Sequence, residues 1–178
     1  MSTVDLMLLG ALLRKPMNAY EIKKEMERVN INAWVKISSP SIYKNLIKLN
    51  TSGYVDGRTV REGEMPEKTI YTINDRGQTY FFKLMKRYSE DPGHVFLDFA
   101  AFIANLPLVD QKTGLEMIDA LQRSLSLKRE HTAQILDQTG NYSFYGSNIV
   151  DLYLQVFTTL DRFVADFRGE YIERTNPR

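Results

Sequence analysis

The sequence predicts a mostly α chain with a small β-hairpin (α+β). An N-terminal unit spans residues 1–88, and a C-terminal unit of antiparallel helices spans residues 89–178. Three observations carry this reading. Helix-start signals recur ahead of apolar runs of helical period. One β-branched and aromatic run, Thr69-Ile70-Tyr71-Thr72-Ile73, stands apart from them. The charge divides at the polar, turn-forming stretch Ser89-Glu90-Asp91-Pro92-Gly93. Residues 1–88 carry 15 Lys and Arg against 9 Asp and Glu, a net +6, and residues 89–178 carry 8 against 13, a net −5. Coulomb steering is local within a Debye length, so only the first unit suits a polyanionic partner.

Val4 to Leu13 is almost wholly apolar and reads as a helix buried on several sides, with Leu8 and Leu12 set partly against a second subunit. Lys15-Pro16 ends it, because a residue before proline avoids the α region. Asn18 then caps a second helix, with Glu21 completing a capping box. Ile22, Met26 and Val29 share one face of that helix, and Lys23, Lys24 and Glu27 share the other. Ser38-Ser39-Pro40-Ser41 opens a third helix, with Ser39 as its cap and Pro40 in the first turn. Ile42, Leu46 and Leu49 recur at i, i+4 and i+7 as its buried stripe. Ser41, Lys44 and Lys48 fall opposite, with Asn45 at the edge. Gly53 closes the helix. Strands follow at 54–60 and 69–73 around a turn at 62–67. Asn74 or Asp75 caps a fourth helix whose apolar face is Tyr80, Phe81, Leu84 and Met85. Trp34, Tyr20 and Tyr71 read as packed rings.

In the second half, His94 to Leu106 reads as a helix with a broad apolar face, and Asp110 caps a long one. The last helix places Ile149, Tyr153, Val156, Leu160, Phe163 and Phe167 at steps of 4, 3, 4, 3, 4, a coiled-coil seam. Leu152, Phe157 and Val164 widen the stripe beyond what one partner helix covers. The expected remedy is a second copy, making a homodimer.

Composition narrows the chemistry. The chain has no cysteine, which excludes disulfides, thiolate metal sites and cysteine nucleophiles and suits a reducing cytoplasm. Its two histidines, His94 and His131, offer neither a metal pair nor a catalytic triad. Glu62 and Glu64 read as solvated hairpin charges, and no glycine pattern for phosphate binding is present. The expectation is therefore no enzyme activity, no cofactor and no metal. No apolar run approaches the ~18 residues of a membrane span, and the first residues lack the form of a signal peptide.

Three helices, a hairpin and a fourth helix, in that order, make a winged helix-turn-helix, in which the third helix enters the major groove of double-stranded DNA and the wing reaches the flanking backbone. The sequence resembles the PadR family of winged-helix transcriptional regulators over roughly residues 3–88. The resemblance rests on Met7-Leu8-Leu9-Gly10-Ala11-Leu12, Asn18-Ala19-Tyr20-Glu21-Ile22 and Ser41-Ile42-Tyr43-Lys44-Asn45-Leu46 with Lys48-Leu49. It continues through Gly53-Tyr54-Val55, Lys68-Thr69-Ile70-Tyr71-Thr72-Ile73 and Gly77. Ala19 and Pro40 depart from it, each standing where the family usually or often has glycine. The C-terminal half is similar in outline to the longer PadR subfamily, whose C-terminal helices form the dimer.

The resemblance implies that Tyr43 and Lys44 touch DNA, with Ser39, Ser41, Asn45 and Lys48 as neighbours and Arg58, Arg61 and Lys68 in the wing. It also implies repression as the default mode and sensing of a small hydrophobic or phenolic effector. Phe96, Phe99, Phe102, Tyr142, Phe144 and Tyr145 are the aromatics available to a pocket for it. The rival reading is a winged-helix protein–protein adaptor that does not bind DNA.

Overall fold

A computed structural model describes residues 3–28, 35, 37–61, 67–137 and 143–175. Trp34, Val29, Tyr142, Glu62 and Glu64 lie outside the described residues. The chain divides into two compact units, residues 1–94 and 95–178.

The first unit is built from α1 (Thr3–Arg14), β1 (Met17–Asn18), α2 (Ala19–Arg28), α3 (Ser39–Thr51), β2 (Val55–Val60), β3 (Lys68–Ile73) and α4 (Asp75–Glu90). The caps explain where the helices begin. The Asn18 amide donates to Glu21 Oε2 at 2.8 Å while the Glu21 amide donates to Asn18 Oδ1 at 3.0 Å, the expected reciprocal box at α2. At α3 the cap is Ser38 rather than Ser39. The Ser41 amide donates to Ser38 Oγ, and the Ser38 amide donates to Ser41 Oγ at 2.9 Å, which fixes the start one residue earlier. Asn74 caps α4 by accepting from the Gly77 amide at 3.0 Å. Gly53 closes α3 at φ +71°, a left-handed conformation that a Cβ disfavours.

The hairpin acquires a third strand. β1 pairs antiparallel with β3, Met17 opposite Tyr71, and β2 pairs with the other edge, giving the order β1-β3-β2. Core side chains converge on α1: Leu8, Leu9 and Leu12 pack with Ile22, Leu46, Leu49, Val55 and Leu84. Leu8 and Leu12 are thereby buried inside their own unit and are unavailable to a second subunit. α3, α4 and β3 pack around α1 and bury Leu8, Leu9 and Leu12, while Leu13 at its end stays exposed. Met85 is half-exposed rather than part of the apolar face of α4. Tyr71 is buried as expected, whereas the Tyr20 ring is exposed, with Lys24 Nζ lying 5.5 Å from its centre.

The second unit comprises α5 (Phe99–Asn105), a 3-10 turn (Leu106–Leu108), α6 (Gln111–Asp137) and α7 (Phe144–Thr175). Residues 92–98 are mostly irregular, so the helix expected from His94 is confined to its second half. Asp110 caps α6, accepting from the Thr113 amide at 2.9 Å; this bond and that from the Thr113 hydroxyl hold its carboxyl below the usual carboxylate range. α6 and α7 run antiparallel, since Asp119 meets Arg168 and Gln122 meets Asp161. Asp161 is buried between them and accepts from Gln122, from Ser126 at 2.9 Å and from Arg129 at 2.7 Å. A buried carboxylate with three donors on the facing helix disfavours sliding one helix past the other, because a slip moves it away from these partners. No described helix is long and apolar enough to cross a membrane.

Candidate nucleic-acid interface

α3 has two distinct sides. Ile42, Leu46 and Leu49 are buried, as their spacing requires. At 100° per residue the line opposite them runs through Pro40, Lys44, Ile47 and Thr51, all exposed, with Tyr43 on one flank and Lys48 on the other. Tyr43 is 47% exposed. Ser39 and Ser41 lie at the helix start, half-buried, and Ser41 is engaged in the cap, its hydroxyl donating to the Ser38 carbonyl at 2.6 Å. The Asn45 side-chain amide donates to the Ser41 carbonyl at 2.8 Å, so one of its donors is spent within the helix.

Pairing separates the cations. On α2, Arg28 is bound to Glu25 at 2.9 Å and Lys23 approaches Glu27 at 3.5 Å. The Arg28 guanidinium holds the Glu25 carboxyl below its ordinary range. Among the described residues Lys44, Arg58 and Arg61 have no carboxylate partner, and all three are exposed. Arg58 sits on β2 opposite Ile70, Arg61 just beyond the end of that strand, and Lys68 on β3 opposite Val60. The unpaired Lys44, on the outer line of α3, and Arg58 and Arg61, on the hairpin, are cations that a polyanion can neutralise at no cost in internal ion pairs.

Lys48 differs from Lys44. Its Nζ donates to Asp5 Oδ2 at 3.1 Å, and Asp5, on α1, is fully buried. The Tyr80 hydroxyl donates to the same oxygen at 3.2 Å. Burial first, then the Asp5 charge and this hydrogen bond, push the Tyr80 hydroxyl up to about 12. Lys48 therefore ties α3 to α1 while its side chain stays 56% exposed.

A cleft of about 580 Å³ lies between the start of α2, Tyr43 and the base of the hairpin, and Tyr20, Lys68 and Tyr71 line it. Sequence reasoning missed two exposed side chains here, Tyr20 and Ile47. For Ile47 a signal existed: it lies 140° around the helix from Ile42, well off the buried stripe.

Residues 8–83 match the family described as the transcriptional regulator PadR-like family. The N-terminal unit is PadR-like. Among solved structures, the chain is similar to Bacillus subtilis PadR in complex with operator DNA, at 18% identity and a TM-score of 0.78, covering 96% of this chain and 98% of that one. It is also similar to Bacillus subtilis PadR in complex with p-coumaric acid, at 14% identity and a TM-score of 0.79, covering 94% and 98%. A PadR-like transcriptional regulator from Bacillus cereus matches at 18% identity and a TM-score of 0.68, covering 97% and 99%. These likenesses establish a winged-helix fold for the PadR-like unit. No curated protein sequence matches the chain.

The expected seam on α7 is divided. Leu160 and Phe167 pack against the core of the second unit, which includes Ile118 and Leu125 of α6. Ile149 and Tyr153 are half-buried. Val156 and Phe163 remain exposed, and with Leu152 and Tyr145 they form an outward stripe at steps of seven, four and seven. Of the aromatics considered for an effector, Phe102 packs against the core of the second unit, Phe99 is half-buried, and Phe96, Phe144 and Tyr145 are exposed.

Proposed function

We propose that this chain is a sequence-specific DNA-binding repressor that works as a homodimer on a pseudo-palindromic operator. The observation that carries the reading is the outward face of α3 in a PadR-like unit, where an unpaired Lys44 lies beside Ile47 and Tyr43, with unpaired arginines on the adjoining hairpin. Lys44, Arg58, Arg61 and Lys68 contact phosphates and set the register. Tyr43 and Asn45 face the groove, Ser39 and Ser41 bring the helix start close to the backbone, and Lys48 adds a partial charge behind them.

Val156 and Phe163 pair the two copies, Ile149 and Tyr153 flank the contact, and Leu160 and Phe167 support it from within each subunit. Two recognition helices related by a two-fold axis then address half-sites about one helical turn apart, ~34–36 Å. The effector is a small hydrophobic or phenolic compound whose binding changes the spacing of the two reading heads. The solved PadR complex with p-coumaric acid supports that chemical class.

The test is affinity for duplex DNA from upstream of the protein's own gene, measured across a salt series. A regulator loses affinity steeply as salt rises yet keeps its preference over random duplex. A flat response, or equal affinity for both duplexes, overturns the reading and favours the protein–protein adaptor.

A further inference from the structure

Ile47 is 61% exposed on the recognition helix, a large apolar side chain that falls between Tyr43 and Lys44 around the face turned away from the core. Tyr43, one turn earlier, is its neighbour on that face. Scattered exposed aliphatics are ordinary on protein surfaces. This one is set apart by its place: the Pro40-Lys44-Ile47-Thr51 line is the part of α3 that a major groove would receive, and an isoleucine there can neither donate nor accept a hydrogen bond. In that groove the thymine C5-methyl is the apolar group that a base edge offers, since the other edge groups are hydrogen-bond donors and acceptors. An aliphatic side chain in contact with a cytosine amino group or a guanine O6 would strip water from it and return nothing.

Resting on the DNA-binding reading above, we propose that Ile47 is a specificity-determining residue that reads thymine methyl groups, so that each operator half-site carries a thymine at the position facing Ile47. Tyr43 bounds this contact on the hairpin side, where it lines the cleft shared with Tyr20 and Lys68. Lys44 fixes the register by holding a phosphate. The site thus combines one sequence-independent charge with one apolar probe, and discrimination comes from methyl burial as well as from hydrogen bonds.

The experiment uses the full chain and duplexes that it enriches from a random-sequence library. Each thymine of an enriched duplex is replaced in turn by uracil, which keeps the hydrogen-bonding edge and lacks only the methyl. Wild type should lose about fourfold in affinity per methyl at one position in each half-site, the factor that corresponds to one buried methyl-sized group. Ile47→Ala should bind the thymine duplex more weakly and show no further loss with uracil at that position. Ile47→Val should retain part of the preference. Ile47 is exposed, so neither substitution disturbs the core, and unchanged thermal unfolding confirms it. Wild type indifferent to uracil at every position overturns the inference, as does a thymine preference undiminished in Ile47→Ala, and both leave the DNA-binding reading standing. If no duplex is enriched, that reading falls and takes the inference with it.

Discussion

Three helical glycines give a graded test of how the two units are packed. Replacing a mid-helix glycine with alanine gains about 0.5–1 kcal/mol of helix propensity where space allows. At Gly77, in the first turn of α4, the new Cβ would overlap the Tyr54 carbonyl oxygen and lie 2.7 Å from Ile73 Cγ1 and 3.0 Å from the Tyr54 carbonyl carbon. Backbone cannot swing aside, so overpacking of about 1–3 kcal/mol or more outweighs the gain. The expected net loss is about 1–2 kcal/mol, which lowers the melting temperature of the first unit by roughly 4–16 °C. At Gly114 the obstacle is the end of the Tyr171 ring, its hydroxyl overlapping the new Cβ and its Cζ 2.9 Å away; a side chain gives more readily than backbone, so the net loss should be smaller than at Gly77. At Gly169 nothing lies within 4 Å, so alanine should stabilise by about 0.5–1 kcal/mol. Denaturant unfolding followed by circular dichroism ranks the three variants. Gly77→Ala as stable as wild type would refute the close approach of α4 to the start of β2.

Four further outcomes are expected. Lys44→Ala should weaken all duplexes alike, reduce the slope of log affinity against log salt by about 0.9, and leave thermal unfolding unchanged; a destabilised variant would place Lys44 in the core. Lys48→Met should destabilise the first unit by about 1–3 kcal/mol in denaturant unfolding, because it strips a donor from the buried Asp5 carboxylate, and Asp5→Asn with Lys48→Met should recover part of that loss. The Tyr80 hydroxyl titrates at about 12 in the folded chain against 10.0 ordinarily. Between those values the unfolded chain gives up a proton that the folded one keeps, so stability should fall as pH rises through that window. Asp5→Asn should lower the Tyr80 midpoint in an absorbance titration without returning it to 10.0, since burial is the larger cause. Phe163→Asp should leave helix content intact and convert dimer to monomer by light scattering; a wild-type chain already monomeric contradicts the proposed seam.

What the sequence disclosed follows the range of the interactions involved. The Asn18–Glu21 box and the Ile42-Leu46-Leu49 stripe depend on residues three to seven positions apart, and both stand as read. The Ser38 cap was displaced by one because consecutive serines compete for the position, and only the reciprocal bond with Ser41 decides between them. β1 is two residues long and exists through its pairing with Tyr71 and Ile70, more than fifty positions on, so no local pattern announces it. Lys48 reads from sequence as a free surface cation because its partner, Asp5, is 43 positions away, a lone acid in an apolar run. The seam on α7 was visible as a period, but period alone does not say which stripe meets α6. Leu160 and Phe167 turned inward, and Val156 and Phe163 did not.

The most direct test of paired reading heads is a hydroxyl-radical footprint on a duplex enriched by this chain. Two protected windows on one face of the helix, centred about 10–10.5 base pairs apart, are the expected result. A single window, or protection with no fixed spacing, would contradict the claim that one dimer places two α3 helices in successive major grooves.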